Sequence, residues 1–131
     1  MLFIGTKLKI VDNSGAKIAK CLTNYSKKYK KTVGIGDLIL VSLKKIRNRK
    51  KIVKRLVYVG LIVGVKYWVV RKDGTRIRFF NNRVLIFSKQ FKFLGSRIYG
   101  LILKETKIKI LKRKKYRTFF KKIIAYKAFT V

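Results

Sequence analysis

Most enzyme chemistry needs a poised acid, base or nucleophile, and this sequence holds few candidates: no histidine, one cysteine (Cys21) and four acids, Asp12, Asp37, Asp73 and Glu105. No two of the acids lie close together in the chain, so sequence proximity supplies no carboxylate pair for acid–base work. Asp12 and Asp73 could be imagined as metal ligands, but each sits among turn residues, Asp12-Asn13-Ser14-Gly15 and Asp73-Gly74. There an aspartate accepts backbone hydrogen bonds and favours the turn geometry. Asp37 follows Gly36 where a strand opens, and Glu105 is placed to pair with a cation or to begin a helix. Cys21 has no second cysteine and no histidine to work with, and reads as a small core residue. Gly34 and Gly36 match neither GxGxxG nor GxxxxGK and precede no helix, so they read as a turn rather than a phosphate cradle. The residues therefore predict no catalytic, cofactor or metal site, and a protein that is not an enzyme.

What the chain has in abundance is positive charge. It carries 36 Lys plus Arg against the four acids, a formal net charge of +32 over 131 residues. Such a chain repels itself unless a polyanion is near, and each bound phosphate both neutralises a cation and releases counterions. A nucleic-acid partner is the economical reading. The densest cluster is residues 44–55, where Lys44, Lys45, Arg47, Arg49, Lys50, Lys51, Lys54 and Arg55 make eight of twelve residues basic. With almost no acids to pair with, these cations point to RNA phosphates, which give position rather than sequence reading. A second basic loop at residues 24–32 interleaves Lys27, Lys28, Lys30 and Lys31 with Tyr25 and Tyr29. Those tyrosines and Phe80 are suited either to stacking on bases or to half-buried packing.

The cations must be carried by a folded scaffold, since 49% of the residues are hydrophobic and 13% aromatic, far above a disordered basic tail. The longest uncharged stretch within the apolar regions, residues 56–65, is ten residues, about half the roughly 20 needed to span a bilayer. No membrane span is predicted. There is no proline, so turns are marked by Gly, Asn, Asp and Ser. Residues 1–11 read as a strand, with Leu8 and Ile10 alternating against Lys7 and Lys9, which leaves no room for a cleaved presequence. Further strands are expected at residues 17–22, 38–43, 56–65, 67–72 and 83–88, with bends at Gly60 and Gly64. Several short strands with regular turn signals predict a small β-barrel. A two-residue turn at Asp73-Gly74 would set Arg71 opposite Arg76 and Val70 opposite Ile77. That register puts Trp68, Val70, Ile77 and Phe79 on a core face, and Tyr67, Arg71, Arg76, Arg78 and Phe80 on a charged face. In the tail the period changes: Tyr116, Phe119, Phe120, Ile123, Ile124 and Lys127 fall on one helix face, predicting an amphipathic helix at about residues 116–128. We divide the chain into a barrel domain at residues 1–106, including the ribbon at 44–55, and a basic helical extension at 107–131.

A family becomes visible in the order of the motifs. Asp12-Asn13-Ser14-Gly15-Ala16, Gly36-Asp37, Arg71-Lys72-Asp73-Gly74-Thr75, Ile77-Arg78-Phe79, Asn82 before Val84-Leu85, and Gly95-Ser96-Arg97-Ile98-Tyr99-Gly100 through Glu105 occur in one series. That series resembles universal large-subunit ribosomal protein 14 across about residues 6–110. The resemblance implies an all-β fold: a small, closed, five-stranded OB-like barrel with a projecting β-ribbon and short C-terminal helices. It also implies a structural protein of the large ribosomal subunit that binds large-subunit rRNA, touches neighbouring large-subunit proteins and sits on the face that meets the small subunit. Members contribute to bridges with small-subunit rRNA, and a ribosome-silencing factor can occupy the same surface. On that pattern the ribbon lies against large-subunit RNA, and Ser96 and Arg97 lie at the bridge. To these we add, from the hairpin register, Arg71, Lys72, Arg76 and Arg78 as rRNA contacts, and Tyr99 at the intersubunit face.

The sequence departs from the family at Leu101, where proline is usual, and around Phe80, Asn81 and Arg83, where acidic or small residues are usual. Beyond Ile110 the tail is longer and more basic, with nine cations among residues 107–122. Heavy use of Lys, Ile, Phe, Leu and Tyr without proline is what an AT-rich genome produces. We therefore expect a mitochondrial ribosome, with plastid and bacterial cytoplasm as alternatives. The rival functional class is a free-standing single-stranded nucleic-acid binder on a similar barrel, for which an exposed aromatic platform and salt-sensitive binding without ribosome association are expected. A third is a cationic protein lying on a membrane surface through its tail helix.

Overall fold

A computed structural model of the chain describes residues 1–25, 32–47, 52–54, 56–125 and 131, with Lys115 described by its backbone alone. Its strands are β1 (Leu2–Phe3), β2 (Lys7–Ile10), β3 (Ala16–Asn24), β4 (Thr32–Val33), β5 (Leu38–Ile46), β6 (Val57–Gly64), β7 (Val69–Val70), β8 (Arg76–Ile77) and β9 (Arg83–Phe87). Three helices follow, α1 (Lys104–Lys112), α2 (Lys114–Arg117) and α3 (Lys121–Ala125). Five strands close a barrel in the order β2-β3-β5-β6-β9, antiparallel at every seam except the last, where β9 returns parallel to β2. This is the all-β, closed five-stranded barrel anticipated from the motif order. Strand β5 carries the basic ribbon as far as Ile46, while residues 48–51 and 55, and with them Arg49, Lys50, Lys51 and Arg55, lie outside the described residues. So do Lys27, Lys28, Tyr29, Lys30 and Lys31 of the second basic loop.

Why the strands differ in pattern follows from what lies on each side of the barrel wall. In β2, Leu8 and Ile10 point into the barrel and Lys7 and Lys9 point out, the period-2 signature of a strand wet on one face. In β6 every residue from Tyr58 to Gly64 is buried. Its inner side chains, Tyr58 and Ile62, join the barrel interior, whereas Val59, Leu61 and Val63 belong to a second core on the outer face. Strand β9 divides in the same way, Val84 and Ile86 inward and Leu85 and Phe87 outward. Ile102, Ile110, Phe120 and Ile123 cover that outer face. Each side chain buried there contributes about 1.5–3 kcal/mol. Gly60 is required by the interior, because a Cβ there would stand 2.8 Å from Val84 Cγ2 and 3.1 Å from Val41 Cγ1. Cys21 is buried as a small core side chain without a disulfide, and burial pushes its thiol pKa up.

The tail differs from the single helix predicted at residues 116–128. Helix α1 begins earlier and spans the division expected at residue 106; Glu105 stands in its first turn and Lys109 and Lys112 in its last, each complementing the helix dipole. Thr106 and Ile110, four residues apart, form its buried stripe. Of the predicted apolar face, Tyr116 lies on α2 and Ile123 and Ile124 on α3, with Phe119 and Phe120 in the turn between them, while the last three predicted positions, Lys127 among them, lie outside the described residues. Phe120 is fully buried, its ring 4.8 Å from that of Phe87. Phe91 is the hub of this arrangement, with ring centroids 5.5 Å from Tyr25, 5.4 Å from Tyr116 and 5.4 Å from Phe119. Its φ of 60° is a left-handed conformation uncommon for a bulky residue.

Candidate nucleic-acid interface

The four acids all have structural work. Asp12 is buried within the turn between β2 and β3, where one carboxylate oxygen accepts the Ser14 N–H at 2.9 Å and the Ser14 hydroxyl, and the other accepts the Ile86 N–H at 3.0 Å. Burial nonetheless keeps its pKa above the ordinary carboxylate value. Asp37 accepts the Gly34 N–H at 2.9 Å and meets Lys109 and Arg113, each at 3.5 Å, tying the helical tail to the barrel. Asp73 accepts the Thr75 N–H at 3.0 Å, and this bond holds its pKa down. Glu105 receives Arg71 Nε at 2.5 Å and Nη2 at 3.3 Å. Burial works to raise the Glu105 carboxyl, but those hydrogen bonds and the charges of Arg71 and Lys104 outweigh it and hold it below the usual range. Among the described residues no three His, Cys, Asp or Glu lie close enough to hold a metal ion, and no helix is long and apolar enough to cross a membrane.

Arg71 and its hairpin correct the register predicted from the sequence. Strands β7 and β8 pair Val69 with Ile77 and Val70 with Arg76, one residue away from the two-residue turn. Gly74 donates to the Arg71 carbonyl at 3.1 Å and has φ +83°, while Arg71 donates to the Thr75 carbonyl at 2.9 Å. These bonds define a three-residue loop ending in a left-handed glycine. The slip of one residue turns the first strand over while the second keeps its face. Ile77 and Phe79 pack on the barrel core as predicted, but with Tyr67 and Val69 beside them, whereas Trp68 and Val70 are 54% and 63% exposed. Arg71 faces no arginine; besides Glu105 it grips the Val131 carbonyl at 2.6 Å. Lys72, Arg76 and Arg78 stay exposed, and the Arg78 guanidinium lies 4.6 Å above the Trp68 ring.

The loop at residues 95–100 is sewn to the turn after β2. Asn13 Oδ1 accepts the N–H groups of Ser96 at 2.6 Å and Arg97 at 2.9 Å, and its Nδ2 donates to Ser96 Oγ at 2.6 Å. The Tyr99 N–H donates to the Val11 carbonyl at 2.7 Å. Gly95 fits because a Cβ there would come within 2.9 Å of Asn13 Oδ1. Ser96, Arg97 and Tyr99 are thereby presented outward from a fixed backbone, all three exposed.

A further concentration of cations on the barrel is one the sequence reading missed. A groove of about 750 Å³, with no helix residue in its lining, is lined by Lys7, Lys9, Lys17, Lys45, Arg47 and Lys66. Phe80, Asn81, Asn82 and Tyr99 complete its wall. Of its cations only Lys45 and Arg47 belong to the predicted ribbon; Lys44 and Lys54 are exposed elsewhere along it. The others come from strands far apart in the chain that the barrel sets side by side: Lys9 neighbours Ile18 on β3 and Arg83 on β9, and Ile18 neighbours Lys45 on β5. Lys7 faces Lys20 across β2 and β3, a like-charge pair that is destabilising in isolation. The one available signal was the outward alternation of Lys7 and Lys9. Arg83 is half-buried above the Phe79 ring at 4.6 Å; burial lowers its pKa, and its Nε has no hydrogen-bond partner among the described residues.

A closed five-stranded barrel with helices packed on its outer face and a separate groove lined with lysines defines a small basic barrel protein, with no catalytic constellation among the described residues. The chain matches Ribosomal protein L14p/L23e over residues 1–124. It is 37% identical over 102 residues, covering 78% of this chain and 84% of the relative, to the large ribosomal subunit protein uL14 of Carsonella ruddii (strain PV). It belongs to the L14p/L23e family of ribosomal proteins, structural components of the large subunit rather than a class of enzyme.

Proposed function

We propose that the chain is held in the large subunit by large-subunit rRNA, whose phosphates lie along the cationic groove and the ribbon at residues 44–55. The observation that carries this is the groove itself: six cations converge in its lining, and the one acid in its wall, Asp12, is buried in hydrogen bonds. Like-charge neighbours such as Lys7 and Lys20 change from a cost to a stabilising pair once a phosphate lies over them. Lys72, Arg76 and Arg78 extend the same contact through the hairpin, and Arg71 acts mainly by holding that hairpin to α1. Neighbouring large-subunit proteins are the chain's further partners. The Asn13-braced loop presents Ser96, Arg97 and Tyr99 to small-subunit rRNA at a bridge, and a ribosome-silencing factor would meet the same exposed loop.

Sedimentation of the tagged protein with ribosomal particles in high salt tests this reading. Comigration with large subunits and monosomes is the expected result. Release as free protein would favour a free-standing single-stranded nucleic-acid binder. We place the ribosome in the mitochondrion on the biased composition, with plastid and bacterial cytoplasm as alternatives, the last compatible with the bacterial relative; absence of the chain from purified mitochondrial ribosomes would overturn the mitochondrial placement.

A further inference from the structure

We infer that Phe80 is a stacking platform for one unpaired nucleobase, a site that rests on the RNA-binding reading above and gives it a specific contact. Phe80 is 91% exposed, more than any other large hydrophobic side chain described. Full burial of a Phe is favourable, so the fold leaves this ring's apolar surface unused. The ring does not hang from a loose loop. The Phe79 N–H donates to the Val65 carbonyl at 2.9 Å, the Asn82 carbonyl accepts the Lys9 N–H at 2.8 Å, and Asn82 Oδ1 accepts the Lys66 N–H at 2.8 Å. Residues on both sides of Phe80 are thus pinned to the barrel, and the ring projects at the rim of the cationic groove.

The same hydrogen bonds anchor the backbones of Lys9 and Lys66 at Asn82, two residues from the ring. A base laid on Phe80 therefore has ammonium groups within reach of its flanking phosphates, and the exposed Asn81 amide offers a donor and an acceptor to its edge. Aromatic stacking needs an open base face, which paired bases inside a helix do not offer. The ligand is consequently a nucleotide splayed from an RNA loop or bulge. A stacked base releases no counterions, so its loss should weaken binding without changing the salt dependence.

The test uses the full chain bound to a large-subunit rRNA transcript and, separately, to an oligouridylate and an abasic oligomer of equal length and charge. F80A should weaken oligouridylate binding about 5- to 150-fold, leave abasic binding and the salt slope unchanged, and leave the thermal melt unaltered because the ring is exposed. F80W should restore binding. On the transcript, ultraviolet irradiation should give a nucleotide adduct at residue 80 in the wild type and in F80W. Wild-type binding to RNA with F80A indistinguishable on both oligomers, or adducts only at groove lysines, would overturn the platform while sparing the RNA reading. Failure of the wild type to bind the transcript at all would sink the RNA reading itself. A residue-80 crosslink to protein in assembled subunits would reassign the ring to a protein contact and also overturn the inference.

Discussion

Replacing Lys7, Lys9, Lys45 and Lys66 together with Gln removes four of the six cations lining the groove, and all four side chains are exposed, so the barrel should keep its fold. The size of the effect follows from counterion release. Each phosphate contact contributes about 0.7 to 0.9 to the slope of log affinity against log salt, so the fourfold change should flatten that slope by roughly 3. The wild type's advantage should then shrink about 50-fold between about 50 and about 200 mM salt. Filter binding to a large-subunit rRNA transcript across that range reads the slope directly. The control is Lys104, Lys112, Lys121 and Lys122 changed to Gln, the same loss of charge from exposed positions on the helical tail. Equal flattening in both variants would refute a localised groove contact and assign binding to diffuse charge. No flattening in the groove variant would remove the groove from the interface altogether.

Arg97→Glu should impair subunit joining more than large-subunit incorporation, read from monosome and free-subunit peaks in gradients; equal loss of both, or of neither, counts against a bridge role. Asn13→Ala should cost about 0.5–1.5 kcal/mol, because water can replace the acceptor it removes from the exposed Ser96 and Arg97 N–H groups, with faster amide exchange at both positions. Gly60→Ala forces a Cβ against Val84 and Val41 and should destabilise the barrel by about 1–3 kcal/mol in urea unfolding. Glu105→Gln should cost up to about 1 kcal/mol at neutral pH, since the Arg71 pair is only partly buried. The folded Glu105 carboxyl is depressed, so its stabilisation is present above the unfolded value of about 4.3 and is lost as pH falls through the lower folded value. Melts of wild type and E105Q should therefore converge in acid; a gap that persists there would show that the pair does not titrate as described.

Phe80 shows how far a sequence can be read. Its place in the chain left stacking and packing equally open, and only the folded chain, with the bonds that pin Phe79 and Asn82 on either side, sets it at the groove. The basic ribbon, by contrast, announced itself as a run of neighbours, and Asp12 and Asp73 by the turn residues around them. Signals of that kind act over a few residues: alternation in Lys7-Leu8-Lys9-Ile10, an aspartate two residues before the N–H it accepts, a glycine where the chain must turn. They determined the barrel class, the absence of enzyme-like residue sets and the polyanion-seeking charge. The tertiary structure decided the rest. A two-residue and a three-residue turn around Asp73-Gly74 differ little locally, and packing of Tyr67 and Val69 against the core in place of Trp68 and Val70 selects between them. Over the described residues, the helix expected at residues 116–128 is two short helices, with Phe120 in the turn between them packed on Phe87. The groove exists only because strands distant in sequence become neighbours about 5 Å apart, bringing Lys9, Lys45 and Lys66 into one field that no window of sequence contains.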